Sequence, residues 1–348
     1  MTYTKEYLTN YCQTALVNTN VSAKDAATVA AVLTSADERG VHSHGCVRME
    51  GYVECLLSGG IKADAQWEIV SEGPAYALID AKQGLGIPVS VAATELAIQK
   101  AKQTGIAIVN VNNSHHHGAC GYYSLMCAKE GLIGIAMSTG DIIMAVTGSA
   151  KNSIGNNPFS YAVPAGKHGA VCYDIAMSTV AAGKISMAAD EGRSIPLGWL
   201  LDNQGNPTTD PTEYAKGGPL MPFGGYKGYG LSMMVESLAG ILSGAALLKD
   251  IHAWNKNPEK GGNVGHCFIA IDPKLINPDF NVPARAEEML DQILATPKAP
   301  GVERIYFPGQ IEQEKEALAK ASGIPLPPAT EHALEKVAAL TGIHFTKQ

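Results

Sequence analysis

Apolar residues at helical spacing dominate the beginning of the chain. They recur with a helical period over residues 3–18 and 23–38. Ser22, followed three positions later by Asp25, is typical of a capped helix start. A third helix is predicted to end near Leu57, ahead of two glycines. The chain therefore begins with a mainly helical segment.

Short β-branched runs replace this pattern from Trp67 onwards and alternate with helical spacing. The predicted strands cover residues 68–70, 76–79, 106–111, 132–137 and 170–175. Helices are predicted between them, at about 89–97 and at 118–130. Such alternation predicts an α/β fold with a mixed α/β core.

The second half of the chain is predicted to be loop followed by helix. Residues 202–226 are rich in Gly, Pro and Asp and indicate a long loop before an apolar helix at 231–243, expected to be central in the core. Beyond Asp272, helices are predicted at 284–295, 311–321 and 329–341, around one strand at 304–307. We expect two domains: a helical one from residues 1–65 with 273–348, and an α/β core from 66–272.

Composition narrows the class of protein. Of the 348 residues, 46% are hydrophobic and 17% are charged, which is typical of a globular protein. A net charge of −7 without a block of Lys or Arg argues against nucleic acid as a partner. The seven cysteines contain no C-x-x-C pair and suit reduced thiols in the cytoplasm. Neither export nor a membrane span is predicted, because the most apolar long segment is interrupted by polar residues.

Three consecutive histidines, His115-His116-His117, lie where the strand at 106–111 gives way to the helix at 118–130. The free N–H groups of a helix start disfavour an imidazolium, so a histidine held there tends to be neutral and able to accept a proton. The alternative interpretation is a polar, histidine-rich loop without a chemical role.

A second polar loop, residues 39–48, contains Ser43 and His44 and leads into a helix with Arg48 and Tyr52 one turn apart. A neutral histidine beside an arginine that grips a carboxylate in a bidentate fork is suited to acid–base chemistry on an organic acid. His44 or His116, together with Arg48, supplies that combination.

Other kinds of site fit the sequence less well. Neither histidine cluster has an adjacent carboxylate or a spacing typical of zinc ligands, so we predict no metal, and a metal-dependent hydrolase remains a remote alternative. No G-x-S-x-G occurs for a serine hydrolase. The segments at 84–86 and 148–151 lack the glycine spacing of a dinucleotide fingerprint, so any nucleotide is expected on a fold other than the Rossmann fold.

Five motifs together resemble the type-2 malate/L-lactate dehydrogenase family. They are Arg39-Gly40-x-x-Ser43-His44-Gly45-x-x-Arg48, Asn113-Ser114-x-His116-x-Gly118-Ala119, Gly155-x-Asn157-Pro158, Asp174-x-Ala176 and Lys227-Gly228-Tyr229-Gly230-Leu231. The resemblance implies a non-Rossmann α/β fold, a homodimer, and NAD(P)-dependent interconversion of 2-hydroxy and 2-oxo acids without a metal. NAD is the expected cofactor, with NADP as the alternative.

The resemblance also implies roles for individual residues. His116 matches the proton-transferring histidine, Ser43 and His44 match a pair at the substrate that is an alternative proton relay, and Arg48 matches the carboxylate clamp. The positions that match cofactor contacts are Gly140, Asp174, Ile175, Ala176, Lys227, Tyr306, Phe307 and Pro308.

Within the family, the chain is most similar to the ureidoglycolate dehydrogenases, through Arg48 with Tyr52, Asp141, and the run Asn206-Pro207-Thr208-Thr209-Asp210-Pro211. A carboxylate at Asp141 can accept hydrogen bonds from a ureido group, whereas it would repel the second carboxylate of malate. The expected reaction is (S)-ureidoglycolate to oxalurate. Malate, lactate, sulfolactate and 2,3-diketogulonate remain alternative substrates, as does reduction of a cyclic imine.

Overall fold

A mixed seven-stranded sheet with helices on both faces forms the centre of the computed structural model, which describes residues 1–347. The helices are α1 (Lys5–Val17), α2 (Ala23–Glu38), α3 (Met49–Ser58), α4 (Gly86–Thr104), α5 (Cys120–Lys129), α6 (Ala182–Asp190), α7 (Tyr226–Val235), α8 (Pro273–Ile276), α9 (Val282–Leu294), α10 (Gln310–Ser322) and α11 (Pro328–Thr341). The strands are β1 (Thr2–Tyr3), β2 (Glu68–Gly73), β3 (Tyr76–Asp80), β4 (Ile106–Ser114), β5 (Ile133–Ser138), β6 (Ile142–Met144), β7 (Ile154–Gly155), β8 (Phe159–Pro164), β9 (Ala170–Ile175), β10 (Leu200–Leu201), β11 (Pro207–Thr208), β12 (Val264–Ile271) and β13 (Ile324–Pro325).

The strand order of the large sheet is β2-β3-β4-β12-β5-β8-β9. Only β3 and β4 pair in parallel, and every other neighbouring pair is antiparallel. The α/β prediction is therefore confirmed, and the sheet differs from the parallel sheet of a Rossmann fold.

The two faces of the sheet bury two different hydrophobic clusters. On β12, Phe268 and Ala270 pack with α4 and α5, whereas Cys267 belongs to the cluster on the opposite face, which includes Ile185 of α6 and Val235 of α7. This alternation follows the two-residue period of a strand. The sheet is covered on both sides, so its central strands are apolar on both faces.

A third hydrophobic cluster joins the two ends of the chain. It contains side chains of α1, α2, α3 and α11, and β1 pairs with β13 beside it. The expected cap of α2 is confirmed, because Ser22 Oγ accepts a hydrogen bond of 3.1 Å from the backbone N–H of Asp25. Within the C-terminal part, α11 contacts α3 and α10 contacts α2, while α9 contacts β8. The division into two domains stays a prediction.

One predicted strand is wrong, and one predicted helix is confirmed only in part. Residues 304–307 form no strand, since they run as irregular chain before α10. The apolar helix expected at 231–243 is instead α7 followed by a π-helical turn, Glu236–Ile241, and it leaves Met233 and Ile241 exposed. Its apolar residues are thus divided between the sheet and the surface.

The sequence interpretation also omitted two strands of the large sheet, β8 and β12, and the short strands outside it. The β12 run VGHCFIAI is apolar on both faces and follows a polar loop, so no alternating pattern marks it as a strand. Among residues 1–347, no helix combines the length and apolar character needed to cross a membrane.

Candidate active site

The three histidines lie between the end of β4 and the start of α5, as predicted. Their side chains take different directions: His115 and His117 are each 2% exposed, whereas His116 is only half-buried. Gly86, at the start of α4, lies against this segment, and a Cβ added there would meet the backbone oxygen of His115 at 2.1 Å. Gly86 thus serves close packing of α4 against the histidine segment.

The His116 imidazole stacks with two flat rings and has two hydrogen-bond contacts at Nδ1, one of them from the backbone N–H of Gly118 at 3.4 Å. Tyr52 Oη lies 2.6 Å from His116 Nδ1. The ring of Trp254 stacks on His116 with centroids 5.1 Å apart and planes at 22°, and His44 stacks at 5.6 Å and 21°. Nε2 of His116 has no hydrogen-bond partner among residues 1–347, which leaves it available to a ligand.

Burial and neighbouring charges keep these histidines neutral. Desolvation lowers the pKa of His116 well below its ordinary value, and the positive charge of Arg48 adds to the effect. The same two causes lower the pKa of His44 to about 3. A carboxylate bound to Arg48 would offset its charge and thereby strengthen His116 as a proton acceptor.

The side chain of Asp37, in α2, holds the loop that contains Ser43 and His44. The Asp37 carboxylate accepts hydrogen bonds from His42 Nδ1 at 2.8 Å and from the backbone N–H of Cys46 at 2.7 Å. Ser43 Oγ lies 2.9 Å from His44 Nδ1, so the predicted pair is in direct contact. The side chain of Asp37 therefore sets the conformation of the loop on both sides of that pair.

Arg48 has one protein partner and a free end. Its Nε donates a hydrogen bond of 2.6 Å to the backbone oxygen of Ser43, and its two terminal nitrogens have no hydrogen bond among residues 1–347. A cavity of about 260 Å³ is lined by Arg48, Gly51 and Trp254. The free nitrogens match the fork that a carboxylate requires.

Asp141 lies within electrostatic reach of two cations. Burial raises its pKa, while Lys256 and, to a lesser extent, Arg48 act to lower it. Neither cation forms a direct ion pair with Asp141 within the described chain. Asp141 is half-buried and within electrostatic reach of Arg48, the predicted carboxylate clamp.

The predicted cofactor positions of β9 lie next to the start of α5. Asp174 accepts a hydrogen bond of 2.7 Å from the backbone N–H of Gly121, and desolvation raises its pKa to about 6. Ile175 ends the strand, Ala176 follows it, and both are half-buried. The helix start that follows His116 is therefore in direct contact with the end of β9.

Gly140 is tied to the same region by the Asn157 side chain. Asn157 Oδ1 accepts a hydrogen bond of 3.1 Å from the Gly140 N–H, and its Nδ2 donates to the buried Glu236 at 2.8 Å. The backbone oxygen of Asn156 in turn accepts from the N–H of Met177, one residue beyond Ala176. The motif Gly155-x-Asn157-Pro158 thus connects Gly140 with the end of β9.

The remaining predicted cofactor positions are near β9 but differ in exposure. Lys227 is exposed, and its Nζ has no ion pair or hydrogen bond among residues 1–347. The backbone oxygen of Pro308 accepts a hydrogen bond of 3.0 Å from Cys172 of β9. Tyr306 is 46% exposed, whereas the Phe307 side chain is buried under α9, which leaves only its backbone for a ligand.

A cluster of buried polar side chains lies next to the histidine segment, around His117 and His266. His117 stacks on His266 of β12 with centroids 4.3 Å apart, and His266 is hydrogen-bonded to Ser138 and Ser114, each at 2.9 Å. Both ring nitrogens of His115 are buried without a partner. Within residues 1–347, no group of three or more His, Cys, Asp or Glu side chains is arranged to hold a metal ion.

Trp254 and Asp37 were not recognised from the sequence. Trp254 lies in the polar, irregular segment 252–263, which has no periodicity to analyse. A lone tryptophan among Asn, Lys, Pro and Gly was the available signal, because large aromatic residues are unusual in such a loop unless they bind something.

Comparisons with known proteins show which family the chain belongs to. The family model described as Malate/L-lactate dehydrogenase matches residues 3–335. A malate dehydrogenase of Pyrococcus horikoshii is 40% identical over 88% of this chain and 86% of its own length. A ureidoglycolate dehydrogenase (NAD(+)) of Escherichia coli O157:H7 is 32% identical over 94% of this chain and 93% of its own. The structure of sulfolactate dehydrogenase from Methanocaldococcus jannaschii superposes with a TM-score of 0.90 at 33% identity, covering 99% of this chain and 98% of that one.

The relatives are oxidoreductases, among them dehydrogenases of malate, ureidoglycolate and sulfolactate. The chain belongs to the malate/L-lactate dehydrogenase family. Its membership confirms the predicted class of enzyme, a dehydrogenase of 2-hydroxy acids with a nicotinamide cofactor, NAD or NADP.

Proposed function

We propose that this chain oxidises a short 2-hydroxy acid, with His116 as the proton acceptor and Arg48 as the carboxylate clamp. The observation that supports this assignment is the state of the two side chains. His116 is neutral and is held at Nδ1 by Tyr52 while Nε2 is free, and Arg48 is anchored through Nε while its terminal nitrogens are free. A base and a clamp with these free atoms can engage the hydroxyl and the carboxylate of one small molecule.

The two ring nitrogens of His116 have separate tasks in this proposal. When Nδ1–H donates to Tyr52 Oη, Nε2 has the lone pair that takes the hydroxyl proton. Ser43 and His44, in contact with each other and with His44 stacked on His116, form the alternative proton relay.

The residues around β9 fit a nicotinamide cofactor. Asp174 can accept hydrogen bonds from ribose hydroxyls or from a carboxamide, and the unpaired Lys227 can meet a phosphate. The bound nicotinamide supplies the hydride acceptor. Gly140, Ile175, Ala176, Tyr306 and Pro308 contribute backbone or exposed surface to the same region, and Phe307 contributes backbone.

Asp141 supports (S)-ureidoglycolate as the substrate. It is half-buried on the side of Arg48, where its carboxylate can accept the N–H groups of a ureido substituent. Malate is the second candidate, because Lys256 offsets the charge of Asp141 and because a malate dehydrogenase is 40% identical to this chain.

The proposal is tested with purified enzyme, NAD or NADP, and a panel of ureidoglycolate, malate, lactate, sulfolactate and 2,3-diketogulonate. We expect the absorbance of reduced cofactor to rise with at least one of these substrates. No rise with any of them, with either cofactor, would overturn the proposal. In the active combination, His116→Ala should lower kcat by about 10²–10⁴-fold, the usual contribution of positioned acid–base transfer. His332→Ala, at an exposed helix position, is the control.

The exposed side of α7 supports a homodimer. Tyr226 and Met233 of α7, with Ile241 of the π-helical turn, are 69%, 47% and 63% exposed. A contiguous apolar surface of this kind is typical of an interface. Gel filtration should give a dimer for the wild type and a monomer for Ile241→Asp, and a wild-type monomer would contradict this part of the proposal. The cytoplasmic location stays a prediction.

A further inference from the structure

One aromatic side chain contacts each of the principal residues on the substrate side of the site. The indole of Trp254 stacks on Tyr52 at 5.4 Å and 20°, stacks on His116 at 5.1 Å and 22°, and lies 5.8 Å from Cζ of Arg48. Its edge meets His115 at 5.6 Å. No other residue of the described chain makes all four contacts.

We propose that Trp254 is a positioning residue for the reaction, whose indole fixes the plane of the His116 imidazole and the direction of the Arg48 guanidinium together. The roles of His116 and Arg48 in this inference rest on the proposed function. The inference itself concerns the geometry and the solvation that Trp254 imposes on them.

The His116 ring needs more than its hydrogen bonds to be aligned. The contacts of Tyr52 Oη at 2.6 Å and of the Gly118 N–H at 3.4 Å both meet Nδ1, so they fix the position of that atom but leave the ring free to tilt about it. Two flat rings, Trp254 and His44, restrict the tilt because their planes lie within 22° and 21° of the imidazole. Nε2 is thereby held in one direction, as proton transfer requires.

The Arg48 side chain is also held by few contacts. Its guanidinium has a single hydrogen bond, to the backbone of Ser43, so its terminal nitrogens are not held by that bond alone. The indole face supplies a second contact through the attraction between a cation and an aromatic ring. One side chain thus aligns the base and the clamp relative to each other.

The indole also keeps water from one face of His116. Desolvation is the main cause of the low pKa of His116, followed by the charge of Arg48, then by His44, His117 and His115. Tyr52 is the remaining titratable group in contact with the ring. Removal of the indole admits water and favours the protonated ring, without any change in those neighbouring groups.

Gly51 of α3 provides an independent way to move Trp254. A Cβ added at Gly51 would meet Cζ3 of the indole at 2.2 Å, so Gly51→Ala displaces the ring while every aromatic and charged residue stays. Alanine also favours the helix, so α3 should remain folded. The indole rests on α3 only because position 51 has no side chain.

The test uses Trp254→Ala, Trp254→Phe and Gly51→Ala, with Trp67→Ala at a 43% exposed position as the matched control. The first measurement is the titration of His116 by ¹⁵N NMR in the cofactor-free protein. We expect the pKa of His116 to rise towards its ordinary value in Trp254→Ala and Gly51→Ala, and to stay low in Trp254→Phe and Trp67→Ala. An unchanged pKa in Trp254→Ala and Gly51→Ala would overturn the inference.

Steady-state kinetics provide the second measurement. We expect kcat to fall about 10–100-fold in Trp254→Ala and Gly51→Ala, because small misplacement of reacting groups has effects of this size. The acidic limb of the pH–rate profile should move to higher pH in the same variants, whereas Trp254→Phe should stay close to wild type. A lower kcat without a shift of the acidic limb of the pH–rate profile would contradict the inference, because it would show that Trp254 only supports the fold. If the wild type is inactive with every substrate, the proposed function fails, and the NMR titration still decides the inference.

Discussion

The hydroxyl of Tyr52 and Nδ1 of His116 are 2.6 Å apart, although the two residues come from α3 and from the loop after β4. Tyr52 is fully buried, and burial raises its pKa well above its ordinary value, so the hydroxyl stays protonated. A hydroxyl can donate or accept, so it can serve either tautomer of the imidazole. The pair thus links the orientation of the proposed base to the core of the helical part.

Tyr52→Phe should lower kcat about tenfold while the melting temperature changes little, since the ring and its packing remain and only one hydrogen bond is lost. Kinetics with the best substrate of the panel measure this change. Tyr76→Phe, at a 49% exposed position, is the control. A wild-type kcat in Tyr52→Phe would mean that the stacked rings alone orient His116.

Asp37→Asn should raise KM and lower stability together. The carboxylate accepts two hydrogen bonds, from His42 and from the N–H of Cys46, and an amide has one acceptor oxygen for them. The loss of one buried charge-assisted bond is worth about 1–3 kcal/mol in the free energy of unfolding. Denaturant titration and KM measurements check this, with Asp64→Asn, an exposed aspartate, as the control. Unchanged KM would show that the loop of Ser43 and His44 holds its shape without Asp37.

His115→Phe should stabilise the protein at neutral pH. His115 is 2% exposed and both of its ring nitrogens lack a partner, and an unpaired buried polar group costs about 1–3 kcal/mol. A phenyl ring keeps the edge contact with Trp254 and removes that cost. A higher melting temperature is expected, with His252→Phe, an exposed position, as the control. A lower melting temperature would indicate that the ring nitrogens are hydrogen-bonded to water.

Stability should fall as the pH falls below about 6.5. Burial lowers the pKa of His115 to about 4 and that of His117 to about 3, and it also lowers that of His266. The unfolded chain therefore binds more protons than the folded one between the ordinary histidine pKa and these values, and each such group destabilises the fold by at most about 1.4 kcal/mol per pH unit in that window. Asp174 acts in the opposite direction, since its pKa is raised to about 6.

Melting temperatures between pH 7 and pH 4 measure this dependence. Burial also lowers the pKa of His44 and of His116, so five histidines outnumber the two carboxyl groups with a raised pKa, Asp141 and Asp174, and the net change should be a decrease towards low pH. His115→Phe should reduce the slope. A flat profile over this range would mean that the folded protein accommodates the protonated rings.

Asp141→Asn should change the choice of substrate. Removal of the negative charge near Arg48 and Lys256 leaves two uncompensated cations, which should raise kcat/KM for malate relative to ureidoglycolate by about tenfold, equivalent to about 1.4 kcal/mol. Lys256→Met should act in the opposite direction. The ratio of kcat/KM for the two substrates measures both effects, and a constant ratio across the variants would remove Asp141 from the specificity of the enzyme.

The sequence alone determined the class of fold and the principal chemistry. Helical and strand periodicity predicted an α/β core, because the local pattern of burial is recorded in the spacing of apolar residues. The proposed base and clamp were recognised because Ser43, His44 and Arg48 are close in the chain and His116 follows a clear strand. The structure confirms that His44, Arg48 and His116 are brought together.

Only the tertiary structure decided what surrounds that base. The position of β12 between β4 and β5 depends on how strands far apart in the chain pair with each other. In that position β12 places His266 against His117. Trp254 reaches His116 from an irregular segment whose residues have no period to interpret. Such contacts join residues far apart in the chain, and packing selects them rather than local propensity. The sequence therefore predicts that the three histidines lie on a loop between a strand and a helix. Which ring is accessible and which two are buried is decided by the fold.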